Sequence, residues 1–161
     1  MAIGRTYTVD SGLQTLASTS QTCLLVGTCA STNPVDIQAI RVAIHSGSGV
    51  SYPSNGSVQV LLARASGTIG GGTSTATVNP HNAGDIAANT TWKDNSTSIS
   101  ATIGTILWGQ VLPFTAGANW AEWVTPGAEW RVAASASVGV YLTCSSAGTA
   151  TKFQIELVTA E

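Results

Sequence analysis

Two histidines, eight carboxylates, three cysteines and five tryptophans are the side chains of this 161-residue chain with chemistry to offer. His45 closes an apolar stretch beside a glycine turn, and His81 sits in Asn79-Pro80-His81-Asn82. Either could be drawn with Asp36 or Asp85 into a Ser-His-Asp relay, but serine is so abundant here that its nearness to a histidine carries no information. No G-x-S-x-G elbow, H-E-x-x-H pair or phosphate-loop sequence occurs. Gly70-Gly71-Gly72 lacks dinucleotide-loop spacing and runs into Thr73 and Ser74 rather than a helix, so it reads as a turning loop. Glycoside hydrolysis needs two carboxylates across a cleft. Glu122 and Glu129, set among tryptophans, are the one acidic arrangement of interest, against the plainer reading of charges at a loop or sheet rim. No His or Cys pair has zinc-site spacing. The expectation is therefore no catalytic residue, no metal and no cofactor.

The cysteines point the same way. Cys23 and Cys29 would share one strand face about 20 Å apart and could pair only if Gly27 turned the chain back, and an odd count without a signal sequence is a poor disulfide framework. With Cys144 they read as free thiols acting as small core groups. Trp120, Trp123 and Trp130 cluster within 117–131. Exposed tryptophans stack on sugars or anchor protein interfaces; otherwise they fill a core or close its end. Trp120 and Trp123, flanked by Asn, Ala and Glu and followed by Pro126-Gly127, are the pair expected to be exposed.

The elements that must position these groups are strands. Gly, Pro, Asn, Ser and Thr interrupt every apolar stretch before a helical period develops. Lys152-Phe-Gln-Ile-Glu-Leu157 alternates strictly, with Phe153, Ile155 and Leu157 on one face. Further strands are expected over 5–9, 22–28, 37–44, 57–62, 73–78, 99–107, 111–114, 130–134 and 138–144. Short strands separated by turn clusters, without helical spacers, describe a β-sandwich or barrel in a single domain spanning 1–161. Residues 46–56 read as a loop, 66–98 as a long loop region with one brief strand, and 1–20 as an extended N-terminal arm.

Composition narrows the function classes. Only 9% of the chain is charged, against roughly 25% in soluble domains, and about a quarter is Ser or Thr. The net charge is −2, and the six basic residues are scattered, which argues against nucleic acid as a partner. The longest apolar runs are a few residues, so no membrane span is expected. The N-terminus lacks the pattern of a signal peptide, which implies synthesis in the cytoplasm. A chain with so little charge has little repulsion between copies, and its hydroxyls, glycines and alanines can be buried against another protein at small desolvation cost. It reads as a part to be assembled, with its charges at rims and solvent faces.

The order of elements from 37 to 157 resembles a group of small head-region proteins of tailed bacteriophages, the capsid decoration or cement proteins. The likeness rests on the strand 37–44, its glycine-rich loop, the Gly70-to-Asp85 segment, an Ile/Leu/Trp strand, Trp123-Val-Thr-Pro-Gly-Ala-Glu129 and the closing alternating strand. It implies a β-sandwich of jelly-roll type that forms a homotrimer on the major capsid protein lattice, at threefold positions of the virion's outer surface, with no enzyme activity. A phage tail, baseplate or fibre component and a carbohydrate-binding sandwich using Trp120 and Trp123 are the alternatives. Candidate capsid or trimer contacts are the N-terminal segment, Gly70, Gly71, Gly72, Asn79, Pro80, His81, Asn82 and Trp92 in the long loop, and Trp120 and Trp123.

Overall fold

The computed structural model of the chain describes residues 4–16, 20–45, 56–70, 76–94, 99–113, 119–124, 127–144 and 151–161. Every regular element among them is a strand: β1 (Thr6–Leu16), β2 (Thr22–Thr28), β3 (Val35–His45), β4 (Ser57–Gly70), β5 (Thr77–Pro80), β6 (Thr91–Asp94), β7 (Ser100–Pro113), β8 (Asn119–Trp123), β9 (Trp130–Val132), β10 (Ser137–Cys144) and β11 (Thr151–Ala160). They form two antiparallel sheets. Sheet A has the order β5-β1-β11-β3-β8, with β9 also on β3; sheet B has the order β6-β2-β10-β4-β7. The pairings nest: β4 with β7 is innermost, then β3 with β8 and β9, then β2 with β10, and β1 with β11 outermost.

Alternation explains how the sheets close on each other. Phe153, Ile155 and Leu157 of β11 are fully buried, and Ile40, Val42 and Ile44 of β3 join them. Val58, Val60 and Leu62 of β4 and Val138, Val140 and Leu142 of β10 complete the same cluster from sheet B. Each such side chain contributes on the order of 1.5–3 kcal/mol when removed from water. The two sheets thus enclose one core, the layer arrangement of a β-sandwich.

Residues 6–16 correct the expected N-terminal arm. β1 lies between β11 and β5, paired on both sides. The strand expected over 5–9 continues to Leu16; the register shifts between Asp10 and Leu13, and this bulge is what breaks the alternation that would have marked the longer strand. Gly12 takes φ +61°, a conformation open to glycine, and its N–H donates to Asp10 Oδ1 at 2.8 Å. The Ser11 hydroxyl accepts the Ile155 N–H at 2.9 Å, standing in for a backbone acceptor the bulge displaces.

The long loop region is corrected too. β4 continues to Gly70, and β5 and β6 add strands to opposite sheets. The stretches 99–107 and 111–114 are one continuous strand, β7, and the tryptophan segment forms an unforeseen strand, β8. Residues 46–55 and 71–75 lie outside the described residues. All three cysteines are free and buried.

Candidate functional site

The outer face of sheet A is laid out in rows by its registers. One row runs Asn79, Thr8, Val158, Ala39, Trp123 from edge to edge, and its neighbour runs Thr77, Asp10, Glu156, Arg41, Ala121. Asp10 and Glu156 are therefore like charges directly opposite each other, an unfavourable pair unless each is neutralised separately. Arg41 forms an ion pair with Glu156 on the far side. Gln154 Nε2 donates to both Asp10 oxygens at 3.1 and 2.9 Å, and His45 Nε2 donates to Gln154 Oε1 at 3.1 Å. The Arg41 guanidinium also lies 4.8 Å from the Trp123 ring centroid, a cation–π contact. Trp123 remains 56% exposed. A shallow depression of about 270 Å³ beside Arg41, Trp120, Gln154 and Glu156 falls just below the usual range for a ligand pocket.

The other tryptophans divide sharply. Trp120, expected to be exposed beside Trp123, faces the opposite way on β8 and packs partly buried against the core. It stacks on Trp108 at 4.9 Å and 24°, and Trp108 in turn lies 6.1 Å from Trp130. These three rings close the gap between edge strand β7 of sheet B and β8 and β9 of sheet A. Trp92, expected as a surface contact, is 1% exposed. It stands over Gly27, where a Cβ would approach the ring to 2.6 Å, so it belongs to the core and not to an interface.

The remaining loop candidates sit at the other edge of sheet A. Asn79 and Pro80 end β5, His81 and Asn82 follow it, and all four are exposed. His81 Nε2 pairs with Thr8 Oγ1 at 2.7 Å. Asn79 and Trp123 thus bound one row from opposite edges of a five-strand path, and the fold does not bring them together. Gly70 ends β4 opposite Ser100; Gly71 and Gly72 lie outside the described residues.

Residues 81–90 are held at several points. The His81 N–H donates to Thr6 O, the Tyr7 hydroxyl donates to Ile86 O at 3.1 Å, and the Glu161 carboxylate accepts Asn89 N–H at 2.6 Å and Thr90 N–H at 2.8 Å. Burial and the nearby Glu161 carboxylate push the Tyr7 phenol above its ordinary range. Two hydrogen bonds to a carboxylate make Glu161 the strongest of these ties. Glu161→Ala is expected to cost about 1.5–3 kcal/mol in chemical denaturation and to speed amide exchange at Asn89 and Thr90. An unchanged exchange rate there would remove Glu161 from this role.

The carboxylates between tryptophans have different surroundings: Glu122 is on β8 and Glu129 directly precedes β9. Glu129 accepts the Gly127 N–H at 2.8 Å, and this bond together with its own backbone N–H holds its pKa below the usual carboxylate range. That shift favours the ionised form and is opposite to the one a general acid needs. Glu122 lies opposite Ile40 on β8, on the core-facing side with Trp120. His45 and His81 sit on different strands of sheet A with separate partners. Among the described residues, no group of three or more His, Cys, Asp or Glu is placed to hold a metal ion, and no helix is long and apolar enough to cross a membrane.

Sheet B presents a different surface. Sheet B contains three charged residues: Lys93 and Asp94 on its short edge strand β6, and on β2, β4, β7 and β10 only Arg64, whose guanidinium reaches the Arg131 carbonyl on sheet A at 3.4 Å. β1, β3, β8, β9 and β11 contain seven: Asp10, Asp36, Arg41, Glu122, Arg131, Lys152 and Glu156. A second apolar cluster of Cys23, Val26, Leu61, Ala63 and Tyr141, flanked by Ala101 and Ile103, forms on sheet B apart from the main core. Ile106 and Val111 of β7 are 54% and 55% exposed. Sequence reasoning did not single out these two residues. A signal was present: no charged residue occurs from 95 to 121. No protein-family model and no curated protein matches the chain.

Proposed function

We propose that this chain is a structural virion protein, a decoration or cement protein that binds the outer surface of a tailed-phage head as a homotrimer and stabilises the shell. The observation that carries the reading is the segregation of charge between the sheets. Neutral side chains and backbone can be buried against a protein lattice with little desolvation penalty, whereas charges resist it. Sheet B is the side suited to burial; the partnered charges of sheet A suit a face left in water. Binding only the assembled shell stabilises it by mass action, and many copies make modest contacts cumulatively strong. The reading requires no cofactor.

Two further points support it. The order of elements from 37 to 157 resembles that of the decoration proteins. The nested pairings also give the paths β1-β11-β3-β8 and β2-β10-β4-β7, one long hairpin rolled into two four-strand layers, which we read as jelly-roll wiring with β5, β6 and β9 added. Capsid proteins and lectins both use that architecture.

Electron microscopy of expanded heads with and without the purified protein tests this reading. Protrusions at threefold positions, absent from precursor shells, are the expected result. Density on a tail or baseplate would move the protein there, and no particle binding would sink the assignment. A carbohydrate-binding reading is favoured by one observation, the exposed Trp123 beside Arg41 and the depression near Glu156. Glycan binding that is lost in Trp123→Ala would establish it in place of the capsid role.

A further inference from the structure

The four sheet edges are not alike. β5 and β6 have four residues each, β8 five and β9 three. Short edge strands, and the charges of Lys93, Asp94, Glu122 and Arg131 on three of them, are ordinary protections against unwanted strand pairing. The fourth edge, β7, has none of these protections. It runs 14 residues from Ser100 to Pro113, about 45 Å at the usual rise, without one charged residue. Its proline lies at the last position. Among the described residues it pairs with β4 on one side and with nothing on the other.

An edge of this kind is completed by another strand, because half of its N–H and C=O groups point away from the sheet. We infer that β7 is the edge through which copies of this chain join, by backbone pairing reinforced by Ile106 and Val111. Three observations name a second copy as the occupant. The chain as a whole is 9% charged with a net charge of −2, so copies approach each other with little repulsion. β7 offers no charge with which to select an acidic or basic peptide. The surface continuous with it on β4 and β10 carries one charge, Arg64, whose guanidinium turns to the Arg131 carbonyl on sheet A, so a second copy can lie along it with few like charges to oppose. Pairing of β7 with β7 is isologous and closes as a dimer; in the trimer proposed above the contact is heterologous, and β7 pairs with one of the shorter edge strands of the next copy. The inference does not depend on what the oligomer then binds.

Sedimentation equilibrium of the full chain tests it, comparing wild type with Ile106→Lys combined with Val111→Lys. The expected result is an oligomeric wild type and a double variant with the monomer mass, a threefold drop if the assembly is a trimer, with unchanged far-UV circular dichroism. Leu13→Lys, an equally exposed position on sheet A (56%), should leave the mass unchanged. Hydrogen exchange of wild type gives a second readout that needs no variant. Amides of 100–113 should be protected on both sides of the strand in the oligomer, and dilution to monomer should release about half of them. A monomeric wild type at 100-fold dilution series concentrations up to the solubility limit overturns the inference. So does a correctly folded double-lysine variant of unchanged mass, or an oligomer in which half of the β7 amides exchange freely. A dimer formed through β7 would support the inference while removing the trimer, so the two readings fail separately.

Discussion

Trp92→Ala is expected to lower stability by about 3–5 kcal/mol, the range for deleting a large aromatic from a packed core. Trp92 is 1% exposed and among the largest fully buried side chains. Its place depends on Gly27, directly opposite on β2, where the missing Cβ leaves room for the six-membered part of the indole. Two consequences distinguish this arrangement from generic burial. Gly27→Val should be destabilising to a similar degree, because its Cβ would meet the ring at 2.6 Å and evict it. Trp92→Phe should be the milder change, since the indole Nε1 has no hydrogen-bond partner among the described residues and its removal deletes a buried, unsatisfied donor. For a chain of this length, the Trp92→Ala loss corresponds to a fall in Tm of about 6–20 °C. Thermal and urea denaturation followed by circular dichroism measure it. A loss under about 1 kcal/mol would mean that the ring does not occupy the core.

Raising the pH above 9 is expected to destabilise the fold steeply. Burial pushes the Cys23 thiol up from 9.0 to about 12 and the Cys144 thiol to about 11, and raises Cys29 and Tyr141 as well. The unfolded chain releases the thiol protons near pH 9 and the phenol proton near pH 10, whereas the folded chain keeps them. The folded state therefore binds more protons throughout the window from 9 to 11 or 12, and stability falls as pH rises. Each fully engaged thiol contributes about 1.4 kcal/mol per pH unit. Cys23 and Cys144 together would remove on the order of 5 kcal/mol by pH 11, comparable with the whole stability of a marginal domain. Below pH 9 all of these groups are neutral in both states and this contribution is constant. Denaturant midpoints taken between pH 7 and 11 check the slope, and Cys23→Ala should make it shallower by one thiol. The native thiols should also resist a disulfide reagent at pH 8 and react after unfolding. A stability profile flat from pH 8.5 to 11 would contradict the burial of these thiols.

Local pattern made much of the architecture legible. β11 announces itself through Phe153, Ile155 and Leu157, and β3 through its β-branched run, because a half-buried strand must alternate wherever its pairing is regular. The irregular elements were not legible for the same reason. β1 was expected only over 5–9, because its continuation to Leu16 lies beyond the bulge at Ser11 and Gly12, where the side-chain phase shifts and a serine hydroxyl takes a ladder position. β7 was divided in two because Trp108, Gly109 and Gln110 interrupt its apolar period, although β4 pairs with it on both sides of that interruption. The tryptophans show the limit most clearly. Trp92, Trp120 and Trp123 are the same residue in similar polar company, yet one fills the core, one stacks between the sheets and one lies in water beneath Arg41. Their fates depend on Gly27, Trp108 and Arg41, residues on other strands.

Composition and alternation by themselves determined that this is an all-β chain with free, buried thiols and too few charges to keep its copies apart. Where those few charges fall was decided only by tertiary structure. A strand's sequence sets which side chains share a face, but not which strand lies beside it or which sheet it enters. Those follow from pairings between distant segments, such as Asp10 with Gln154 across 144 positions. The nested pairing collects seven of the charged residues into sheet A and leaves sheet B with Arg64 and the two charges of its short edge strand β6. It leaves β7 as the long open edge, and turns a low average charge into one neutral side and one polar side.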